Sequence, residues 1–165
     1  MCIKLTKNYY FAAVDFAREN LLDALSGCQF FDQSLRSVFV CEGVLMYLSL
    51  SDVELLLSSV SQLTSQRSQL IFTALEPLDS PNNDSGWLLR LYLRIKQESL
   101  GWTCAQSLIS PFLEKHHYHL MESVDDRQIA SKLTPGLLRE RFHRGEYIIN
   151  AMSEHSSPVS YTHLT

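Results

Sequence analysis

The chain lacks a block of basic residues and any apolar run long enough to span a membrane. It has 14 Lys and Arg residues against 18 Asp and Glu residues, which gives a formal net charge of −4. A protein that binds nucleic acid normally carries a basic patch, so we expect no nucleic-acid partner. The first residues also lack the pattern of a signal peptide, and we expect no membrane partner.

Paired cysteine motifs are absent as well. Cys2, Cys28, Cys41 and Cys104 are scattered along the chain without a C-x-x-C pair. Cys41 lies in an apolar run, where a cysteine usually packs as a small hydrophobic residue. We therefore expect a cytoplasmic protein without disulfides.

The most informative stretch that is present runs from Val38 to Leu48 and reads V-F-V-C-E-G-V-L-M-Y-L. Its first four residues show no polar alternation, which predicts a strand buried on both faces of a parallel sheet. Open parallel sheets bind ligands at the carboxyl ends of their strands, where Glu42 stands, and Gly43 permits a sharp exit. The alternative for Glu42 is a solvated loop carboxylate.

Apolar runs alternate with helical patterns along the rest of the 165 residues, which suit one domain. A capping box is predicted at Ser51 and Glu54, ahead of a helix. The order of the elements argues for an α/β sheet with crossover helices. The predicted strands are 9–16, 38–41, 70–74, 118–124 and 146–152, and the predicted helices are 17–25, the one after Ser51, 87–96, 105–115 and 126–133.

Histidines at 116, 117 and 119 raise the question of a metal site. His117 and His119 are two residues apart and could project to one face of a strand. A zinc site needs further ligands, and no residue nearby stands at a suggestive spacing. We predict solvated histidines at a sheet edge and no metal.

Three segments together resemble the leucine carboxyl methyltransferase family of class I S-adenosylmethionine-dependent methyltransferases. They are A-V-D-F at Ala13–Phe16, F-V-C-E-G-V-L-M-Y-L at Phe39–Leu48 and G-E-Y-I at Gly145–Ile148. The resemblance implies a Rossmann-like α/β sheet with helices on both faces, and S-adenosyl-L-methionine as the cofactor. It also implies a methyl acceptor that is a protein or a small molecule.

The resemblance assigns roles to four residues of this chain. Asp15 would hydrogen-bond the adenine amino group, and Phe16 would line the adenine pocket. Glu42 would lie at the amino-acid end of the cofactor, and Tyr47 beside the acceptor. The alternatives are a helix N-cap for Asp15, core packing for Phe16 and strand-end packing for Tyr47. No catalytic residue is identified, because an ionised carboxylate acceptor needs no general base.

The family's first strand, its Gly-rich turn and its second strand have no counterpart before Tyr9. In the family's sheet order, 3-2-1-4-5-7-6, strands 1 and 2 lie between the strand at Tyr9 and the strand at Val38. We therefore expect residues 1–155 to be a partial methyltransferase domain with strands 3 to 7, inactive without the upstream segment. Residues 156–165 extend no pattern, and we expect a disordered tail left by a sequencing or cloning adapter.

Three functions remain open at this point. The first is an O-methyltransferase of the leucine carboxyl type, and the second is a non-catalytic binding or regulatory remnant of the same fold. The third is a nicotinamide-dependent oxidoreductase, which would need a G-x-G-x-x-G motif that this chain lacks. The acceptor and the oligomeric state are left undetermined.

Overall fold

Strands and helices alternate along the computed structural model, which describes residues 2–4, 6–16, 18–64, 67–84, 100–133 and 144–154. The predicted helix at 87–96 and the tail at 156–165 lie outside these residues. Two short 3-10 helices, Leu45–Tyr47 and Gln106–Leu108, accompany the main elements. The strands are β1 Cys2–Lys4, β2 Tyr10–Ala12, β3 Val38–Cys41, β4 Gln69–Leu75, β5 Tyr118–Asp125 and β6 Glu146–Ser153, and the helices are α1 Leu21–Ser26, α2 Leu50–Gln62, α3 Ile109–Lys115 and α4 Asp126–Leu133.

The main sheet has four strands in the order β3-β4-β6-β5. β3 and β4 run parallel, whereas β6 runs antiparallel to both β4 and β5. This is the 4-5-7-6 portion of the strand order that the family resemblance implies, with the last strand of the chain reversed between two parallel ones. The predicted α/β class and its Rossmann-like sheet are confirmed.

One face of this sheet carries the hydrophobic core. Alternate residues of β4 and β6 are buried there, as the period of two along a strand requires. The amphipathic helices α2 and α3 supply the opposing side chains. The core side chains include Leu70, Phe72 and Ala74 of β4, Tyr147, Ile149 and Ala151 of β6, Val53, Leu57 and Val60 of α2, and Ile109 and Leu113 of α3.

The other face of the sheet is only partly covered in the described ranges. Val38 and Val40 are 59% and 66% exposed, so the prediction that β3 is buried on both faces was wrong. The cause is that α2 and α3 both pack on the side of Phe39. On the second face α4 reaches the carboxyl end of the sheet, where Ile129 shares a cavity with Ile148.

The first predicted strand is shorter and pairs elsewhere. Within 9–16 only Tyr10–Ala12 is extended, and it pairs antiparallel with Cys2–Lys4 in a separate two-stranded sheet. The main sheet holds the counterparts of strands 4 to 7, so a counterpart of strand 3 within it is not observed.

The capping box of α2 was placed two residues too late. Ser49, not Ser51, is the N-cap: its side chain accepts from the Asp52 N–H, and the Asp52 carboxylate accepts from the Ser49 N–H at 3.3 Å. Glu54 instead contacts α3 and its end, at 3.3 Å from Lys115 Nζ and 3.3 Å from His116 Nε2. Both Ser-x-x-acid patterns occur in the sequence, and the extended backbone at Ser49 decides between them.

The cysteines are not all free. Cys28 is disulfide-bonded, so the expectation of a protein without disulfides was wrong at this residue. Cys41 and Cys104 are free and half-buried, and burial raises the pKa of both thiols. Among the described residues, no helix has the length and apolar character that crossing a membrane requires.

Candidate functional site

Glu42 stands where the resemblance requires a ligand carboxylate. It follows β3 directly, and its side chain is exposed. It forms no hydrogen bond or ion pair with any residue in the described part of the chain. Gly43 leaves the strand in the left-handed region with φ +65°, and its N–H donates to Thr73 Oγ1 of β4 at 2.9 Å. The turn therefore holds Glu42 at the carboxyl edge of two parallel strands, where open sheets bind ligands.

A cavity of about 220 Å³ opens beside this carboxylate, and we name it the Glu42 cavity. Its walls combine acidic and apolar side chains. Sites for drug-sized ligands usually measure roughly 300–1,000 Å³, so the described residues enclose room for only part of such a ligand. The cavity is lined by Glu42, Thr73, Asp126, Ile129, Glu146, Tyr147 and Ile148.

A second cavity of about 120 Å³ adjoins the first, and we name it the polar cavity. It lies at the same edge of the sheet, because β5 ends there and β6 begins there. The two cavities share Asp126, Glu146 and Tyr147. The further residues that line the polar cavity alone are Glu76, Asn82, Gln106, Asp125, Arg127, Arg144 and Gly145.

Glu76 is the buried carboxylate of this edge, with 4% of its surface exposed. Its Oε1 accepts from the Gln106 N–H at 2.8 Å, and its Oε2 accepts from the Ser80 hydroxyl at 2.8 Å. These two hydrogen bonds thus hold the segments that contain Gln106 and Ser80 against the end of β4. Glu76 was not among the predicted site residues, although it follows an apolar strand just as Glu42 does, and that pattern was the available signal.

Tyr147 closes the boundary between the two cavities. Its hydroxyl donates to the Cys104 carbonyl at 2.8 Å, which ties β6 to the segment before α3. Burial raises the pKa of the Tyr147 phenol far above its usual value, and the nearby Cys104 and Glu76 raise it further. The phenol therefore stays neutral at physiological pH and acts as a hydrogen-bond donor.

The other residues that the resemblance singled out lie away from the two cavities. Asp15 is exposed, with its Oδ2 at 3.6 Å from Arg18 Nε, and it is the third residue after β2. Phe16 packs against the hydrophobic core, the role weighed as its alternative. Tyr47 ends a 3-10 helix and is 55% exposed. Neither the Glu42 cavity nor the polar cavity has any of these three residues in its lining, and their ligand roles stay predictions.

The three histidines have two carboxylate partners, Glu54 for His116 and Glu154 for His117 and His119. His117 Nδ1 and His119 Nε2 each lie 3.3 Å from a different oxygen of Glu154, and both histidine side chains are largely exposed. No group of three or more metal-binding side chains with suitable placement occurs among residues that the structure describes.

Comparison with known proteins gives one family and several distant structures. Residues 2–61 match the family model described as leucine carboxyl methyltransferase. No curated protein matches the chain. The solved magnesium protoporphyrin IX methyltransferase of Synechocystis PCC 6803, which has bound SAH, is similar over 86% of this chain and 49% of its own, with 12% identity and a TM-score of 0.46.

A SAM-dependent methyltransferase from Archaeoglobus fulgidus is similar over 80% of this chain and 64% of its own, with 14% identity and a TM-score of 0.44. The chain thus spans about half the length of the Synechocystis structure, 49%. These two likenesses are too distant to carry an argument about function.

The four strands of the main sheet define the class of fold, an α/β sheet whose order β3-β4-β6-β5 corresponds to the 4-5-7-6 portion that the resemblance implies. Within that class, the match over residues 2–61 confirms the resemblance to the leucine carboxyl methyltransferase family for that part of the chain. Asp15, Phe16, Glu42 and Tyr47 all lie inside the matched residues.

Proposed function

We propose that the protein is an S-adenosyl-L-methionine-dependent O-methyltransferase of the leucine carboxyl type. It would move a methyl group to a carboxylate or hydroxyl of a protein or small molecule. The observation that carries the proposal is Glu42, an exposed carboxylate with no partner in the described residues, fixed at the carboxyl edge of the parallel pair by Gly43. A carboxylate left unpaired at that edge suits an ammonium group of a ligand.

The residues present fit the cofactor in part. Glu42 would accept hydrogen bonds from the amino group at the cofactor's amino-acid end, and Asp15 would accept one from its adenine amino group. Phe16 would form a wall of the adenine pocket, and Tyr47 would lie on the acceptor side. When bound, the cofactor supplies the transferable methyl on a sulfonium. The chain's own contribution is to orient the acceptor and exclude water, and an ionised carboxylate acceptor needs no proton removed.

The second candidate is a non-catalytic binding or regulatory remnant of the same fold. Its support is the size of the Glu42 cavity, about 220 Å³, because the described residues do not enclose room for both a cofactor and a methyl acceptor. Both candidates would bind the cofactor. They differ in whether the natural protein that carries this chain transfers a methyl group.

The cytoplasm is our proposed compartment. The free thiols of Cys41 and Cys104 support it. The disulfide at Cys28 is the observation against it, because disulfides are rare in reducing compartments.

Titration calorimetry of the natural protein with S-adenosyl-L-methionine tests the proposal. We expect binding, and we expect Glu42→Gln to weaken it by about tenfold to a hundredfold, the loss that accompanies removal of a charge-assisted hydrogen bond. Glu114→Gln is the matched control, since Glu114 is exposed on α3 and accepts only from the Ser110 hydroxyl in the described residues. Absence of binding, or equal binding by E42Q and wild type, would contradict the proposal.

A radiolabelled methyl-transfer assay on the same samples separates the two candidates. Label that moves from the cofactor to a carboxylate-bearing acceptor supports the enzyme. Binding without transfer to any acceptor supports the remnant.

A further inference from the structure

Two arginines of the polar cavity are not used by the proposed function. We propose that Arg127 and Arg144 bind an anionic group of the methyl acceptor, a carboxylate or a phosphate, distinct from the oxygen that receives the methyl group. This inference rests on the proposed function, because it assigns the cavity to that reaction's acceptor.

Hydrogen bonds hold the backbone at or next to both arginines. Arg127 lies in the first turn of α4, where Asp125 Oδ1 accepts from the Gln128 N–H at 2.8 Å and Gln128 Oε1 accepts from the Asp125 N–H at 3.0 Å. The Arg144 N–H donates to Asp84 Oδ1 at 2.6 Å, and the Asp84 N–H donates to the Arg144 carbonyl at 3.2 Å. The two side chains therefore approach one small cavity from two anchored segments.

Neither guanidinium has a partner within the described ranges: no hydrogen bond or ion pair joins it to a residue there. Unpaired guanidinium groups that line one cavity match carboxylate and phosphate, which accept two parallel N–H bonds from each arginine.

The acids of the same cavity do not fill this role. Glu76 is already bonded to the Gln106 N–H and the Ser80 hydroxyl. Asp126 and Glu146 also line the Glu42 cavity, whereas the two arginines do not. Asp125 also lines the polar cavity, and its Oδ1 accepts from the Gln128 N–H. The four carboxylates repel an anion and the guanidinium groups attract it, so an anion is favoured in this cavity only in direct contact with the arginines.

The group held there is not the one that is methylated. A carboxylate paired with two arginines has its negative charge stabilised, and its oxygens are then weaker nucleophiles. Methyl transfer needs an oxygen lone pair that is free to attack. Arg127 and Arg144 therefore fit a second anionic group, which fixes the acceptor while another oxygen reacts.

Nitrogen-15 NMR of the arginine Nε–Hε groups tests this in the natural protein, with succinate and inorganic phosphate titrated separately. We expect the Arg127 and Arg144 resonances to shift at millimolar anion. Arg127→Gln and Arg144→Gln should each raise the apparent Kd by about tenfold to a hundredfold. Arg127→Lys keeps the charge but not the planar fork, so it should give an intermediate loss. Arg67→Gln, just before the amino end of β4, is the matched control and should change nothing.

Tighter binding of succinate identifies a carboxylate, and tighter binding of phosphate identifies a phosphate. The inference is overturned if neither anion shifts these resonances, or if R67Q weakens binding as much as the other variants. It is also overturned if R127Q and R144Q weaken S-adenosyl-L-methionine but not the anions, because the arginines would then serve the cofactor. Failure of the proposed function would look different: anion binding would persist without any cofactor binding.

Discussion

Removing the carboxylate of Glu76 should destabilise the protein more than removing any exposed glutamate. Its side chain accepts two hydrogen bonds and is 4% exposed, so solvent cannot replace the lost partners. A hydrogen bond to a charged group contributes about 1.5–3 kcal/mol, which sets about 3–6 kcal/mol as the gross loss for Glu76→Ala. Removing a buried charge also relieves its desolvation cost, so we expect a net loss of about 2–4 kcal/mol.

Glu76→Gln separates the hydrogen bonds from the charge. The amide oxygen can still accept from the Gln106 N–H, and the Ser80 hydroxyl can rotate to accept from the amide N–H. We expect E76Q to lose only about 1 kcal/mol, because the pattern of bonds survives while their charge assistance is lost. Urea unfolding followed by circular dichroism measures the free energy of unfolding for each variant.

Glu114→Ala is the control for this series, since its carboxylate is exposed and accepts from the Ser110 hydroxyl at 3.0 Å. Its loss should stay within about 0.5 kcal/mol. Hydrogen exchange should show faster exchange of the Gln106 amide in E76A alone. The reasoning is refuted if E76A is no less stable than E114A, or if E76Q loses as much as E76A.

Two further predictions concern the backbone and the pH. Gly43→Ala should lower the free energy of unfolding by about 1–2 kcal/mol, because φ is +65° at this position, and an added Cβ would meet no atom within 4 Å, so the backbone conformation alone opposes the substitution. Gly27→Ala, at φ −80°, should be neutral or slightly stabilising. Equal urea midpoints for the two variants would contradict this prediction. Burial raises the pKa of Tyr118 and Tyr147, so the unfolded chain releases these protons first as the pH rises. The stabilisation by these two neutral phenols is complete below about pH 10, where tyrosine titrates in the unfolded chain, and it is lost as the pH rises further. Urea unfolding at pH 8 to 10.5 should show a decline in the free energy of unfolding, and Tyr118→Phe should reduce that decline.

The sheet was predictable because its signals are local and repeated. The run from Leu70 to Ala74 and the alternation after Glu146 each predict a strand within one residue of the observed ends. The predictions that failed depend on contacts between segments that are far apart in the sequence. Apolar residues at 38–41 do not reveal which face a helix covers, so the exposure of Val38 could not be read from them. A strand near Tyr10 was expected, but its partner depends on β1, a segment too short to predict.

Within the candidate site, only those residues whose place follows from their neighbours in the sequence could be predicted. Glu42 and Gly43 form a local pattern, and the structure gives them the expected place at the strand end. The polar cavity joins residues from four separate segments, between Glu76 and Tyr147, and their meeting follows from the strand order rather than from spacing. Arg127 and Arg144 therefore carried no signal in the sequence.

Three acidic residues stand at the ends of β3, β4 and β5, and their partners distinguish them. Glu76 is buried and fully bonded, and Asp125 caps α4 through Gln128. Glu42 alone of the three has no partner in the described residues, although the same pattern of sequence places it there. Its carboxylate makes no stabilising contact with the described residues, so we expect E42Q to change the free energy of unfolding by less than about 0.5 kcal/mol.

The two glutamates should therefore separate stability from binding. E42Q should weaken S-adenosyl-L-methionine while keeping the wild-type urea midpoint, and E76Q should lower the midpoint while keeping most of the affinity. If E42Q lowered both, its loss of binding would reflect unfolding, and Glu42 would have to be a structural carboxylate like Glu76. Calorimetry and urea unfolding on the same preparations decide between a carboxylate kept for a ligand and one kept for the fold.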